Sequence, residues 1–156
     1  MTIGSLVHGS CIIQPTKIAF SSEELSDMVQ RCSLNRLNQF STFLTIHLNG
    51  ARQDPKILAT LRNLDEIIFS GLPLPREVEE WAYSNSLPMR NLFGSTECGA
   101  MLTSVNRRDC NSPCLRPIEG VSYGFFPITE DEQSTASYQN PNAVLFELVI
   151  LSSSGD

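Results

Sequence analysis

A chain of 156 residues, 41% hydrophobic and 18% charged, has the length for one folded domain with a real core and too much apolar content for wholesale disorder. Its net charge is -6, and its bases are scattered apart from the pair Arg107-Arg108, which excludes a nucleic-acid surface and disfavours an anionic membrane. The longest apolar run, AVLFELVIL, is too short to span a bilayer, and five cysteines without framework spacing suit a reducing compartment, so a cytoplasmic protein is expected.

The first residues, MTIGSLVHGSCII, hold no Lys or Arg ahead of their apolar stretch and lack the pattern of a secretory signal. IGSLVHGSCIIQP alternates and is β-branched, which predicts one or two short strands. Ser21 with Glu24 three residues on forms a capping box, and Leu25, Met28, Val29 and Cys32 follow at the spacing of an amphipathic helix. Leu37, Phe40 and Leu44 continue the helical offsets toward Leu48, where Asn49-Gly50 ends a second helix, although Thr42, Thr45 and Ile46 are β-branched. Asp54-Pro55 caps a third helix carrying Ile57, Leu58 and Leu61.

LDEIIFSG predicts a strand stopped by Gly71. A helix then starts at Pro75 with Val78, Trp81 and Ala82 on one face, and MRNLF follows Pro88 as another strand. Strand, helix and strand with short connections fit a parallel right-handed crossover. The next residues, GSTECG, hold two glycines, two hydroxyls and a carboxylate. Alone they could be a turn with hydroxyl caps opening a helix, and they fail as a phosphate loop because Ala100-Met101 stands where Lys and Ser or Thr are needed.

Arg107 to Pro117 is polar and punctuated, and Cys110 and Cys114 within it have no nearby His to complete a zinc set, so they read as loop thiols. GVSYGFFPI is apolar enough to pack, residues 130–142 read as a flexible surface loop, and NAVLFELVIL closes the chain as a strand. His8 and His47 read as packed or surface imidazoles and Trp81 as core. The whole predicts an α/β fold over 1–156 as a single domain, with a mixed, largely parallel sheet and flanking helices.

In such a unit ligands bind beyond the carboxyl ends of the strands. Two such ends carry glycine, FSGLPLP and NLFGSTE. Their pairing resembles the adenylate-forming superfamily: acyl-CoA synthetases, peptide-synthetase adenylation domains and fungal carboxylic acid reductases. That family has a Gly-Ala-Pro-Leu type turn, a helix, and a strand ending in Asn-x-Tyr-Gly-x-Thr-Glu. Here the motifs read Ser70-Gly71-Leu72-Pro73-Leu74 and Asn91-Leu92-Phe93-Gly94-Ser95-Thr96-Glu97, in matching order and separation. The likeness continues more weakly through SSEELSDMVQRC and LATLRNLDEIIFSG upstream, and LRPIEGVSYGFFPI and VLFELVIL downstream.

The resemblance implies part of an acetyl-CoA synthetase-like fold, with ATP or AMP and Mg2+ as cofactors. It places adenine between Phe93 and the backbone of Gly71, Leu72 and Pro73, with the Asn91 amide on the adenine edge. Gly94 and Ser95 belong to the same nucleotide loop, the Thr96 hydroxyl reaches a phosphate oxygen, and Glu97 holds the metal, so Thr96 and Glu97 carry the catalytic roles. Leu92, Ala100 and Met101 line the acyl pocket. Phe93 departs from the family's Tyr and lacks one hydroxyl bond, while Lys17 and Lys56, the two lysines present, lie outside any Ser/Thr/Gly-rich phosphate loop. The ribose aspartate (Asp156 is not assigned to it), the hinge and the catalytic lysine of the mobile subdomain also find no counterpart.

The resemblance therefore implies an internal slice of a carboxylate-activating enzyme, inactive alone. Its partners would be a nucleotide and a carboxylic acid once completed, and the missing segments or another copy at exposed strand edges. The alternative is a non-catalytic nucleotide-binding or protein-interaction remnant.

Overall fold

The first helix, α1 (Ser22–Cys32), starts where its cap lies: in the computed structural model the Ser21 side chain accepts the Glu24 N–H at 3.2 Å. The reciprocal half of the capping box is not made. The Glu24 carboxylate instead accepts from Thr16, at 2.7 Å from its N–H and 2.9 Å from its hydroxyl, tying the incoming segment to the first turn. The structure describes residues 9–104, 115–120, 122–128 and 146–151. Of the strands expected between Ile3 and Pro15, the part from Gly9 onward forms none and the rest lies outside the described residues. Also outside are His8, Arg107-Arg108, Cys110, Cys114, residues 130–142 and Asp156.

β1 (Arg36–Phe40) corrects the helical reading of Leu37 and Phe40. Leu37 and Gln39 point inward while Arg36, Asn38 and Phe40 are exposed, the alternation of a strand paired on one side with β2 (Glu66–Ser70). The offsets that suggested a helix span a strand-to-helix junction, because α2 (Ser41–Gln53) begins at the next residue. This helix also runs through Asn49-Gly50 rather than stopping there. A Cβ on Gly50 would stand 3.3 Å from the Ser22 hydroxyl oxygen, so a residue that costs a helix about 1 kcal/mol relative to Ala here allows α1 and α2 to approach closely.

α3 (Pro55–Arg62) has the expected cap, with the Asp54 side chain accepting the Lys56 N–H at 2.8 Å and Pro55 in the first turn. α4 (Arg76–Ser84) follows Pro75 and bridges β2 to β3 (Met89–Ser95). The chain then reverses into β4 (Gly99–Ser104), and β5 (Leu115–Pro117) completes a sheet of order β1-β2-β3-β4-β5. β1, β2 and β3 are mutually parallel and β4 is antiparallel to β3, giving the mixed, largely parallel α/β class expected.

The four helices among the described residues gather over one face of this sheet. Leu37, Ile67, Phe69 and Met89 from the strands meet Leu25, Leu44, Leu48, Leu61, Val78 and Ala82 from the helices in a single core. Trp81, expected in the core, is half-buried against it with the Arg52 guanidinium 5.2 Å from its ring centroid. The opposite face carries Arg36, Asn38 and Phe40 of β1, Glu66, Ile68 and Ser70 of β2, and Arg90 and Leu92 of β3, all exposed or half-buried.

His47 is a packed imidazole and is wholly buried. Its Nδ1 lies 3.0 Å from the Ser22 hydroxyl, the Phe20 ring centroid is 4.9 Å away, and Nε2 has no partner among the described residues. Burial holds its pKa below the ordinary 6.5, because the charged form loses its hydration. The unfolded chain therefore takes up a proton that the folded chain refuses. Stability should be full above about pH 6.5 and fall as the pH drops below it, with a limiting slope near 1.4 kcal/mol per pH unit for one proton. Urea midpoints at pH 7.5 and 5.5 check this: the drop should shrink in His47→Gln, and an equal drop in both proteins would contradict it.

The chain divides into two compact units, Met1–Arg116 and Pro117–Asp156. Within the second, β6 (Tyr123–Pro127) and β7 (Phe146–Ile150) form an antiparallel pair; β7 falls within the strand expected of NAVLFELVIL, whereas GVSYGFFPI, expected to pack, leaves Phe125 and Phe126 exposed. The Tyr123 and Phe125 rings meet edge to face at 6.0 Å. No helix among the described residues is long and apolar enough to cross a membrane.

Candidate functional site

β2 ends at Ser70 and the chain turns at Gly71 with φ +87°, in the left-handed region that side-chain-bearing residues avoid. The Phe40 ring stands against this turn, 3.3 Å from where a Gly71 Cβ would lie. Leu72 and Pro73 are exposed beyond it. Ser70 is in register with Leu92, so the Gly71 turn leaves the sheet beside Phe93 and Gly94. The two glycine-bearing motifs thus emerge from the carboxyl ends of adjacent parallel strands, where a ligand meets free backbone groups.

Beyond Phe93 the backbone forms a hairpin with a bulge. Phe93 pairs with Leu102 but Gly94 pairs with Ala100, which leaves Met101 as the extra residue, buried while Ala100 is exposed. Only glycine fits at position 94, since a Cβ there would stand 2.2 Å from the Gly99 carbonyl oxygen. Gly99 itself, at φ +64°, closes the turn. On the β4 side, the Ser104 hydroxyl accepts the Asn91 N–H at 2.8 Å and the Thr103 hydroxyl donates to the Asn91 carbonyl at 3.3 Å, fixing the strand that carries Asn91.

The tip, Ser95 to Cys98, is exposed. The Ser95 hydroxyl oxygen accepts the Cys98 N–H at 3.1 Å, and the Glu97 carboxyl is held below the usual carboxylate range by its own backbone N–H and then by the Ser95 hydroxyl. Glu97 therefore stands ionised in solvent, as a hard divalent cation requires of an oxygen ligand. Among the described residues no group of three His, Cys, Asp or Glu could enclose a metal.

Strand alternation sorts the other residues by face. Asn91 and Phe93 lie on the same side of β3 as the core residue Met89, whereas Leu92 lies on the open side with Ser70, Ile68 and Arg90. Asn38 and Phe40 of β1 share that open side. These neighbours of Leu92 were not legible as site residues. RLNQF carries no apolar alternation that could have signalled the β1 members, since Gln39 is one of its two inward residues, and the helical offsets of Leu37 and Phe40 pointed elsewhere. A cleft of about 1020 Å³ runs along β1, lined among others by Ile12, Phe20, Asn38, Phe40, Phe43, Ile68 and Ser70. It reaches the strand end next to Gly71 and does not include the tip at residues 95–98.

No family model matches the chain. It is 34% identical over 152 residues to the AMP-binding domain-containing enzyme iboA of Amanita muscaria (strain Koide BX008), covering 97% of this chain and 28% of that enzyme. It is 34% identical over 101 residues to the adenylate-forming reductase Nps10 of Heterobasidion annosum, covering 65% of this chain and 8% of that protein. In three dimensions it is similar to the o-succinylbenzoate CoA synthetase MenE of Bacillus subtilis, solved with the acyl-adenylate OSB-AMP and also with ATP and a magnesium ion. The OSB-AMP complex superposes with a TM-score of 0.63 at 16% identity, over 82% of this chain and 25% of MenE. The chain spans little more than a quarter of the length of iboA and less of the reductase. Related in sequence to iboA along nearly its whole length and similar in fold to MenE, the chain belongs to the adenylate-forming, AMP-binding family.

Proposed function

We propose that the junction of the Gly71 turn and the Asn91–Glu97 hairpin is the nucleotide site of a carboxylate-activating enzyme, which joins an acid to AMP, releases pyrophosphate and passes the acyl group to a thiol. The observation that carries this reading is the register of Ser70 with Leu92, which brings both motifs to one end of the parallel strands. Phe93 offers a half-exposed ring to stack on adenine against the backbone of Gly71, Leu72 and Pro73, with the Asn91 amide on the adenine edge. Gly94 and Ser95 shape the loop, the Thr96 hydroxyl faces phosphate, and Glu97 takes Mg2+ bridged to phosphate oxygens. The acyl group lies against Leu92, Ala100 and Met101, on the side where Ser70 and Ile68 flank Leu92.

A cytoplasmic supply of ATP suits this chemistry. The chain holds no phosphate loop lysine and no catalytic lysine equivalent, and reactions that depend on clamping developing charge lose most of their rate without the clamps. These 156 residues alone therefore bind nucleotide without turning it over, and the remaining segments of an adenylation enzyme complete the reaction.

Calorimetric titration with AMP and with magnesium-ATP, beside pyrophosphate exchange over a panel of acids, tests both halves. Saturable AMP binding without exchange is expected, and Phe93→Ala should weaken it roughly three- to tenfold, the size of one aromatic stack. Absence of AMP binding would remove the nucleotide site, and robust exchange would remove the claim of inactivity.

A further inference from the structure

On the open face of the sheet, two residues along β3 from Leu92, the Arg90 guanidinium meets the Glu66 carboxylate with Nε 2.6 Å from Oε1. Arg36 lies on the other side of the same carboxylate, its Nε 4.0 Å from Oε2. Glu66 is the least exposed member, its side chain 17% accessible against 44% for Arg90 and 69% for Arg36. A half-desolvated carboxylate thus sits between two arginines, and this patch of an acidic chain carries one net positive charge. Arg90 engages Glu66 through its Nε, and the terminal N–H fork of a guanidinium has the geometry that matches a carboxylate.

The place of this cluster gives it a meaning beyond a surface ion pair. Ile68 is in register with Arg90 and Ser70 with Leu92, so Arg90 stands on the same wall as the acyl-lining Leu92, roughly 7 Å further from the nucleotide end. We propose that Arg90, held in position by Glu66, receives a second carboxylate at the far end of the acid, and that the preferred substrate class is a short dicarboxylic acid activated at its other end. This rests on the acyl group lying against Leu92, as proposed above. Arg90 is then a specificity-determining residue and Glu66 a positioning residue. The recognition involves no bond change at Arg90, since the distal carboxylate stays ionised throughout.

Two non-hydrolysable acyl-sulfamoyl adenosines of equal chain length, one ending in methyl and the other in carboxylate, are titrated into the full chain beside AMP. The carboxylate-ended compound should bind about tenfold tighter at low salt, as a charge-assisted fork adds on the order of 1.4 kcal/mol. The ratio should narrow as salt rises, collapse to about one in Arg90→Met, and recover in part in Arg90→Lys, which keeps the charge without the fork. Circular dichroism confirms that each variant is folded, and the Lys variant serves if the Met variant is not. Equal binding of the two ends, or a ratio unchanged by either substitution, overturns the proposal while leaving the nucleotide site standing. Failure of AMP and of both compounds to bind overturns the two together.

Discussion

Gly94→Ala is expected to destabilise the first unit by about 3 kcal/mol, the upper end of what overpacking costs, because the added methyl would meet the Gly99 carbonyl at 2.2 Å and backbone cannot swing aside as a side chain can. For a domain of this size that is a fall of roughly 10 °C in melting temperature. The same change parts β3 from β4 at the bulge, so the residues at the hairpin tip, Thr96 and Glu97, lose their place and AMP binding should disappear with stability to spare at low temperature. Gly99→Ala is the comparison: Gly99 sits at φ +64°, but nothing lies within 4 Å of the added carbon, so its cost is conformational only and should be about 1–2 kcal/mol. Thermal melts of the two variants decide the matter. Equal melting temperatures for Gly94→Ala and the parent would mean that the strands do not approach as described.

Phe69→Ala should be the most damaging single truncation in the sheet. Phe69 sits on β2, between β1 and β3, is 1% exposed, and is the largest fully buried side chain among the described residues. Removing a buried benzyl group typically costs 3–5 kcal/mol through lost transfer energy and the cavity left behind. Ile68, its neighbour in sequence, faces the open side, and Ile68→Ala should cost less than half as much. Urea unfolding of the pair measures the contrast, and comparable midpoints would show that the face of Ile68 is covered as fully as that of Phe69.

What could be read from sequence was what is encoded within a few residues. Ser21 with Glu24 and Asp54 with Pro55 mark helix starts by the backbone groups they satisfy, Pro75 ahead of Val78 and Ala82 by its fixed φ, and those helices stand where expected. Gly71 marked the strand end because positive φ is a local demand. β1 escaped because one of its two inward residues is Gln39, whose amide is buried and has no partner among the described residues, so the strand shows no apolar alternation. β4 escaped because GSTECG was read as a loop or a helix opening. The hairpin depends on Gly94 meeting Gly99 across the turn, a contact rather than a propensity. The Arg90–Glu66 pair lies across 24 residues and exists only through strand register, which no periodicity announces.

The sheet's one-sided cover has an evolutionary corollary. Along Ile67-Ile68-Phe69-Ser70, odd positions answer to the packed interior and even positions to whatever occupies the uncovered side. Selection for a new substrate can therefore rewrite alternate letters of a strand while the letters between them keep the protein folded, so that novelty and solidity are inherited on separate tracks through the same short segment.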